Sequence, residues 1–340
     1  MEVQRHVMST TSCKTSAYPR VRKKFFDVPN VNLSSWKKSR RLSIQGSTLD
    51  LYMSSNTPSP SIARSLLFFG EDTYGGFDPN HGKWVEENFN LLRVLNLGNL
   101  NVYSIPTWIK RLIHLRYLRV QSDALKVIPA SIGNLKNLET LDLRGTFLNS
   151  LPIGIWKLRN LRNLYMSGPV SLPNQSDTEI KALSNLQVLS TVSLDAQTVR
   201  PIVEAKLPNV RKLGIWFASN ESNSEAGHAL ASLQHLHRLR KLKLINCSEI
   251  LSLPNSFPET IRKITLRQVC LEDGDCMKVL GNLVNLEILK LQSCLLSSQL
   301  YIFGDSFPAL IFLKLENLRI EEWKQGSRAM QKLRHLVIDR

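Results

Sequence analysis

The sequence lacks any apolar stretch close to the roughly 20 residues that a membrane-spanning helix requires. Its first 20 residues also lack the apolar core of a secretory signal peptide. Cysteine is scarce, and its five copies are Cys13, Cys247, Cys270, Cys276 and Cys294. An odd number of cysteines without a signal peptide favours reduced thiols in the cytosol. We therefore predict a cytoplasmic protein with no membrane span.

Catalytic and cofactor-binding motifs are also missing. The sequence has no G-x-x-x-x-G-K-[ST] phosphate loop, no G-x-S-x-G nucleophile motif and no H-E-x-x-H zinc motif. Cys270 and Cys276 have no neighbouring histidine, and His235 and His237 are better explained as surface residues of a short helix than as metal ligands. We expect no catalytic site, no cofactor and no metal. Cys247, Cys270 and Cys294 are each predicted just after a strand, in a buried turn.

An internal repeat of the form L-x-x-L-x-L is the strongest signal in the sequence. Eleven copies are present, and successive copies start 22 to 29 residues apart. The starts are residues 92, 115, 138, 161, 186, 210, 239, 261, 286, 310 and 333. Regular spacing of this kind is typical of leucine-rich repeats, in which each repeat contributes one strand.

The repeat predicts an α/β leucine-rich-repeat solenoid. Alternate residues of a strand point to opposite faces, so Leu95 and Leu97 should point inward while Val94 and Asn96 point outward. One strand cannot bury its leucines alone, whereas stacked parallel strands can. The I/L-P pairs that follow several strands suit the start of a short helix. We predict a horseshoe with the parallel sheet on its concave face and short helices or irregular turns on its convex face.

The chain divides into two predicted regions. Residues 1–35 are interpreted as a flexible N-terminal arm, and residues 36–340 as the leucine-rich-repeat domain. Within that domain, two degenerate repeats occupy residues 36–90, with short strands at Arg41–Ile44 and Ser65–Phe69, and the clear repeats occupy residues 91–340. Loops are predicted at 48–61 and 70–80. The segment 218–227 is predicted to be an insertion, either a functional loop or a tolerated surface addition.

Positive charge is concentrated at the outward positions of the repeats. The chain has 44 Lys and Arg against 28 Asp and Glu, a net charge of +16. The outward positions, meaning the three x of L-x-x-L-x-L, carry only three acidic residues: Glu139, Asp142 and Glu287. They carry fourteen basic residues: Arg93, Arg116, Arg119, Arg162, Arg211, Lys212, Arg240, Lys241, Lys243, Arg262, Lys263, Lys290, Lys314 and Arg334. The candidate partner-binding surface comprises these basic residues without Arg334, together with Arg144.

Two interpretations of this surface remain open. Outward positions need soluble side chains, and Lys and Arg serve that purpose, although filler of this kind should mix signs. The functional interpretation is a concave cationic surface that docks a protein partner with an acidic surface. Nucleic acid is disfavoured because aromatic side chains for base stacking are few, with Tyr117, Tyr165 and Phe312 the exceptions.

Several stretches are more specific than a generic repeat. They are residues 40–44, 63–67, 90–97, 112–118, 128–144, 151–162 and 184–187. From about residue 40 onward, the chain resembles the leucine-rich-repeat region of plant nucleotide-binding leucine-rich-repeat disease-resistance proteins of the coiled-coil class. The nucleotide-binding domain of that family has no counterpart among these residues, so ADP or ATP binding is not carried over. A receptor fragment and a repeat-only relative both remain open.

The resemblance implies a protein-recognition module in plant innate immunity. The partner would be a nucleotide-binding switch module held inactive, a pathogen effector, or a guarded host protein. By analogy with the family, Arg93, Arg116 and Arg119 would face the switch module, while Lys290 and Lys314 would lie toward the effector. The alternative is a general scaffold or adaptor in cytosolic signalling, which needs the same solenoid but no immune partner.

Overall fold

A computed structural model describes most of the repeat region. The described residues are 39–45, 53, 61–69, 77, 79–98, 100, 102–105, 107–173, 182–217, 230–250, 253–254, 257–271 and 275–339. The predicted arm at 1–35 and the predicted insertion at 218–227 lie outside the described residues, as do most residues of the predicted loops at 48–61 and 70–80.

Thirteen strands of the described chain form one parallel sheet in sequence order. They are β1 (Arg41–Gln45), β2 (Ser65–Phe69), β3 (Val94–Leu97), β4 (Tyr117–Val120), β5 (Thr140–Leu143), β6 (Asn163–Met166), β7 (Val188–Ser193), β8 (Lys212–Trp216), β9 (Lys241–Ile250), β10 (Lys263–Cys270), β11 (Ile288–Gln292), β13 (Phe312–Glu316) and β15 (His335–Asp339). The solenoid predicted from the repeat is confirmed, and both strands proposed for residues 36–90 belong to this sheet.

The inward leucines of successive repeats lie side by side. Leu95 is in register with Leu118, and Leu118 with Leu141, and all three are fully buried. The row continues through Leu164, Leu189, Leu213, Leu242, Ile264, Leu289 and Leu313. Burial of one such side chain contributes about 1.5 to 3 kcal/mol. Neighbouring strands therefore share one continuous core, which no single repeat could form.

Short helices return the chain on the face opposite the sheet. The α-helices are α1 (Pro79–Asn88), α2 (Ala196–Val203) and α3 (Asp275–Gly281), and the 3-10 helices are Thr107–Arg111, Ala130–Asn134, Ile153–Lys157 and Ser232–His235. Pro129 and Pro152 directly precede two of the 3-10 helices, as the I/L-P pattern predicts. Trp156 is buried, and its indole N–H donates to the carbonyl of Pro173 at 3.2 Å. This tryptophan thus packs between repeats, as expected.

A row of asparagine side chains connects neighbouring repeats at the turn before five of the described strands, β5 to β8 and β11. Each amide donates to a backbone carbonyl 24 to 26 residues earlier: Asn137 to Ile113 at 2.8 Å, Asn160 to Lys136 at 2.9 Å, Asn185 to Arg159 at 2.9 Å, Asn209 to Ser184 at 2.6 Å, and Asn285 to Glu259 at 2.9 Å. Each asparagine immediately precedes the first apolar residue of its repeat. We call this row the asparagine ladder. A net contribution of about 1 kcal/mol per bond makes it a second connection between repeats.

The structure adds two features that the repeat pattern did not predict. Strands β12 (Gln299–Ile302) and β14 (Glu322–Gln325) pair in parallel as a separate two-stranded sheet. Helix α1 begins at Pro79, inside the segment predicted as the loop 70–80. Proline suits the first helical turn because it has no N–H to leave unpaired there.

The buried cysteines lie closer to the strands than predicted. Cys247 lies within β9 and Cys270 is the last residue of β10, so the expected position after a strand is wrong for these two. Cys294 does follow β11 and is buried, and its thiol lies 3.5 Å from the carbonyl oxygen of Leu266. Burial raises the pKa of the Cys294 thiol, which fits a structural role rather than a reactive one.

No helix among the described residues is long and apolar enough to cross a membrane.

Candidate partner-binding surface

The candidate residues come together on the outward side of the parallel sheet. Two rows cross the strands there, one through the first residue of strands such as β4 and β8, and one through the third. Most side chains of the set are exposed, whereas Arg119, Lys243, Lys263, Lys290 and Lys314 are partly buried. The backbone pairing between neighbouring strands extends to the residue before them. The N–H of Arg116 donates to the carbonyl of Arg93, and the N–H of Arg240 donates to the carbonyl of Arg211.

The prediction that Asp142 faces solvent is wrong, because its side chain is only 1% exposed. It accepts two hydrogen bonds from the guanidinium of Arg144, at 2.9 and 2.7 Å, and one from the Arg144 backbone N–H at 3.2 Å. The guanidinium of Arg119 lies 3.6 Å from the same carboxylate. A buried carboxylate is costly unless it is paired, so these two arginines stabilise the fold and also present cations at the surface.

Arg144 is further held by an aromatic ring. Its guanidinium lies 4.9 Å from the centre of the Tyr165 ring, within the range of a cation–π contact. The hydrogen bond to Asp142 raises the pKa of the Arg144 guanidinium above its ordinary value. Burial raises the pKa of Tyr165, and the nearby Arg144 opposes that rise. Arg116, Tyr117, Arg119, Arg144 and Tyr165 lie on or next to strands β4, β5 and β6, and we call these five residues the Arg–Tyr patch. Within the patch, Arg144 is held in place by Asp142 and Tyr165.

Some of the predicted cations are neutralised within the chain. Arg116 is paired with Glu139 at 3.2 Å, and Lys314 with Glu316 at 2.6 Å. Arg262 forms an ion pair with Glu287. Hydrogen bonds from Lys314 and Gln292 lower the pKa of Glu316. The fourteen candidate residues thus do not form one uniform cationic surface.

The cations between β8 and β11 have different neighbours. Lys212, Lys241 and Lys263 are in register on three adjacent strands, and Lys243 and Lys290 lie in the next row. We call these five residues the lysine patch. Within the described part of the chain, none of them forms an ion pair with an acidic side chain.

Burial and repulsion both act on the lysine patch. Burial is the largest cause that lowers the pKa of Lys212, and the positive charges of Lys241 and Arg144 lower it further. Burial is also the largest cause that lowers the pKa of Lys243, and the positive charges of Arg267 and Lys212 add to it. The pKa of Lys263 is lowered in the same way by burial and by Lys290, Lys241 and Lys212. Arg267 was not among the candidates, although it lies in register with Ile245 and Gln292 beside the patch.

Metal ligands do not cluster in the described residues, where no three of the His, Cys, Asp and Glu side chains are placed to hold an ion. His235 is exposed and ends the 3-10 helix Ser232–His235, and His237 is exposed beyond it. What the surface offers chemically is charge, hydrogen-bond donors and two tyrosines.

A family model described as "Leucine-rich repeat region" matches residues 76–274, which is more than half of the chain. The chain belongs to the leucine-rich-repeat family. It is 31% identical over 287 residues to "Disease resistance protein RPP13" of Arabidopsis thaliana, an alignment that covers 81% of this chain and 32% of the relative. The resemblance to the leucine-rich-repeat region of plant disease-resistance proteins is therefore confirmed, and the chain spans about a third of the length of that relative.

Solved structures show the same fold at low sequence identity. A leucine-rich-repeat protein of Leptospira interrogans aligns with a TM-score of 0.54 and 18% identity, covering 90% of this chain and 85% of that one. The mouse RP105/MD-1 complex aligns with a TM-score of 0.50 and 17% identity, covering 82% of this chain and 46% of that one. Leucine-rich-repeat solenoids of this kind are typically interaction scaffolds.

Proposed function

We propose that this chain is a cytoplasmic protein-recognition module of plant innate immunity that has no catalytic activity. Its partner would be a protein with an acidic surface: a nucleotide-binding switch module kept inactive, a pathogen effector or a guarded host protein. The Arg–Tyr patch would be the centre of that contact.

Similarity to the Arabidopsis disease-resistance protein is the observation that carries this proposal. It extends over 287 residues, so it covers most of the solenoid rather than a few repeats. The matched portion of that relative, 32% of its length, leaves room for other domains in the relative itself. For the portion that is shared, we infer a role in recognition rather than in nucleotide binding.

The composition of the Arg–Tyr patch supports a protein as the partner. Arginine and tyrosine are enriched in the energetically dominant positions of protein interfaces, whereas lysine is depleted there. Arg144 is fixed by Asp142 and by Tyr165, so little side-chain freedom is lost when a partner binds. The three arginines of the patch outnumber the two carboxylates that they pair with, Glu139 and Asp142, so a net positive charge remains to attract an acidic partner.

The proposal is tested by co-precipitation of the full chain with nucleotide-binding modules expressed separately in plant cells. We expect Tyr165→Ala to weaken a specific complex by about 2 kcal/mol, or about thirtyfold in Kd. Lys157→Ala, on a 3-10 helix of the opposite face, is the matched control and should leave the complex unchanged. Charge reversal of Arg119 or Arg144 is unsuitable here because it would remove one of the two cationic partners of the buried Asp142 carboxylate and place a second negative charge beside it.

Proximity labelling in plant tissue separates this proposal from a general adaptor role. Recovery of immune receptors or effectors, lost in the Tyr165→Ala variant, supports recognition in immunity. A set of partners that contains neither, and that is unaffected by Tyr165→Ala, would overturn the proposal in favour of a signalling scaffold.

A further inference from the structure

A small cavity lies between helix α3 and strand β12. Its volume is about 100 Å³. Its buried wall includes Leu271, Met277 and Leu300, which are at most 5% exposed. Its mouth is bordered by Tyr301 and Phe303, which are 44% and 48% exposed. The cavity is therefore apolar inside and opens at the surface beside two exposed aromatic rings.

The cavity arises because a helix lies beside a strand. The N–H of Leu271 donates to the carbonyl of Leu295 at 2.7 Å, and the N–H of Phe307 donates to the carbonyl of Gly281 at 2.7 Å. Between these two bonds, α3 lies against β12 in place of another strand. A helix with its side chains is about 10 Å wide, whereas paired strands are about 4.8 Å apart, so α3 cannot approach β12 as closely as β14 does. Because backbone hydrogen bonds hold both ends, the cavity is a fixed feature of this repeat.

The oxygen atoms around the mouth form hydrogen bonds within the chain. The hydroxyl of Ser297 donates to the carbonyl of Gln299 at 2.7 Å, and the hydroxyl of Tyr301 donates to the side-chain oxygen of Gln299 at 2.9 Å. The ammonium group of Lys324 donates to the Tyr301 hydroxyl at 3.2 Å and lies 5.2 Å from the centre of the same ring. These contacts hold the Tyr301 ring at the mouth. An apolar group is therefore the occupant that suits the cavity.

The size of the cavity and of the exposed surface beside it limits what binds there. An apolar cavity of about 150 Å³ stays dry and binds benzene, so one of about 100 Å³ fits a smaller group such as a leucine or isoleucine side chain. Around the mouth, Leu295, Tyr301 and Phe303 together expose about 300 Å². A stable dimer needs about 800 Å² per partner, and two copies of a chain with a net charge of +16 repel each other. A short segment of another protein therefore fits this surface better than a second copy does.

We propose that the cavity between α3 and β12 is a docking site for a short peptide segment of another protein. The segment inserts one leucine or isoleucine side chain against Leu271, Met277 and Leu300, and its neighbouring residues cover Tyr301 and Phe303. Tyrosine is enriched among the residues that dominate the binding energy of protein interfaces. The site lies outside the thirteen-stranded sheet, so this proposal does not depend on the role of the Arg–Tyr patch.

The test begins with a library of displayed random peptides of about 12 residues, selected on the full chain at about 0.15 M salt. The enriched peptides are then synthesised and titrated calorimetrically. We expect them to share one leucine or isoleucine, and replacement of that residue by alanine should weaken binding at least tenfold. This change is made in the peptide, so its result does not depend on the folding of a variant chain. Ser297→Phe places a ring in the wall of the cavity and should also weaken binding at least tenfold.

Ser298→Phe is the matched control, because Ser298 is exposed beside the cavity but is not part of its wall. It should leave binding within about twofold, and so should Tyr165→Ala, which tests the Arg–Tyr patch. Titration with isobutanol and sedimentation velocity of the chain alone test the other occupants. Enriched peptides without a shared apolar residue, an equal loss in Ser298→Phe, isobutanol binding as tight as that of the peptide, or a dimer that Ser297→Phe disrupts would each overturn the proposal.

Discussion

Removal of Arg144 should destabilise the protein more than removal of the acid that it binds. In Arg144→Met an aliphatic stem still covers Asp142, but the carboxylate, which is 1% exposed in the native protein, loses its two guanidinium bonds of 2.9 and 2.7 Å. Breaking a buried ion pair from one side costs about 3 to 5 kcal/mol. Arg119 remains 3.6 Å from the carboxylate, which places the expected cost near the lower end, at about 3 kcal/mol. The lost contact with Tyr165 adds about 0.5 to 1 kcal/mol.

Asp142→Asn perturbs the same pair from the other side. The side chain of Arg144 is 51% exposed, so its guanidinium can bind water once the carboxylate is replaced by an amide. We expect a cost of about 1 to 2 kcal/mol, because charge-assisted bonds are lost but no fully buried charge is left unpaired. The double variant should cost less than the sum of the two single changes, since it leaves no buried carboxylate.

Urea denaturation of the three variants, followed by circular dichroism, measures this difference. Repeat proteins can lose cooperativity, so the slopes of the transitions must agree before free energies are compared. Equal losses of unfolding free energy in Arg144→Met and Asp142→Asn, or a greater loss in Asp142→Asn, would refute the reasoning that the unpaired buried carboxylate is the main cost.

Three further predictions concern the rest of the surface and the scaffold. Lys241→Gln removes the middle one of three aligned lysines and should raise the free energy of unfolding by about 0.4 to 2 kcal/mol at low salt. Lys314→Gln breaks an ion pair and should not raise it. Equal changes for the two variants in urea denaturation would contradict this prediction. Because the folded state lowers the pKa of three lysines of the patch below 10.5, the unfolded chain binds more protons between those lowered values and 10.5. Thermal stability should therefore rise with pH through that window, relative to a variant in which all three lysines are changed to Gln. A difference in stability between the two proteins that does not change with pH would contradict this prediction. Asn160→Ala removes one bond of the asparagine ladder and should lower the unfolding free energy by about 1 kcal/mol, against about zero for the exposed Asn149→Ala.

The main sheet was predictable from the sequence because its cause is local and periodic. Inward leucines recur at one position of every repeat, and alternation along a strand fixes which side chains are buried. The register of Leu95, Leu118 and Leu141 follows directly. Strands β12 and β14 were not predicted, because Gln299–Ile302 and Glu322–Gln325 lack the leucine pattern. Their first residues are nevertheless 23 positions apart, which is the spacing of the repeats themselves.

The organisation of the charged surface was only partly predictable. Alternation places Asp142 outward, and the burial of its carboxylate depends on the long side chains of Arg119 and Arg144, which the repeat pattern does not describe. The D-x-R spacing was a usable signal, since residues two apart in a strand share a face. The pair of Arg116 and Glu139 required the position of Glu139 just before the neighbouring strand β5, whereas Lys314 and Glu316 lie two residues apart on β13.

The asparagine ladder connects repeats through their turns, independently of the side chains that the sheet exposes. Its amides bond to main-chain carbonyls, which every amino acid possesses, so the turns stay connected whatever side chains occupy the outer rows. Mutations can therefore accumulate on the sheet surface at little risk to folding, and new specificities can evolve on an inherited frame. Asp142 is an exception, because substitution of either of its arginines would change the charge of the surface and the stability of the fold together.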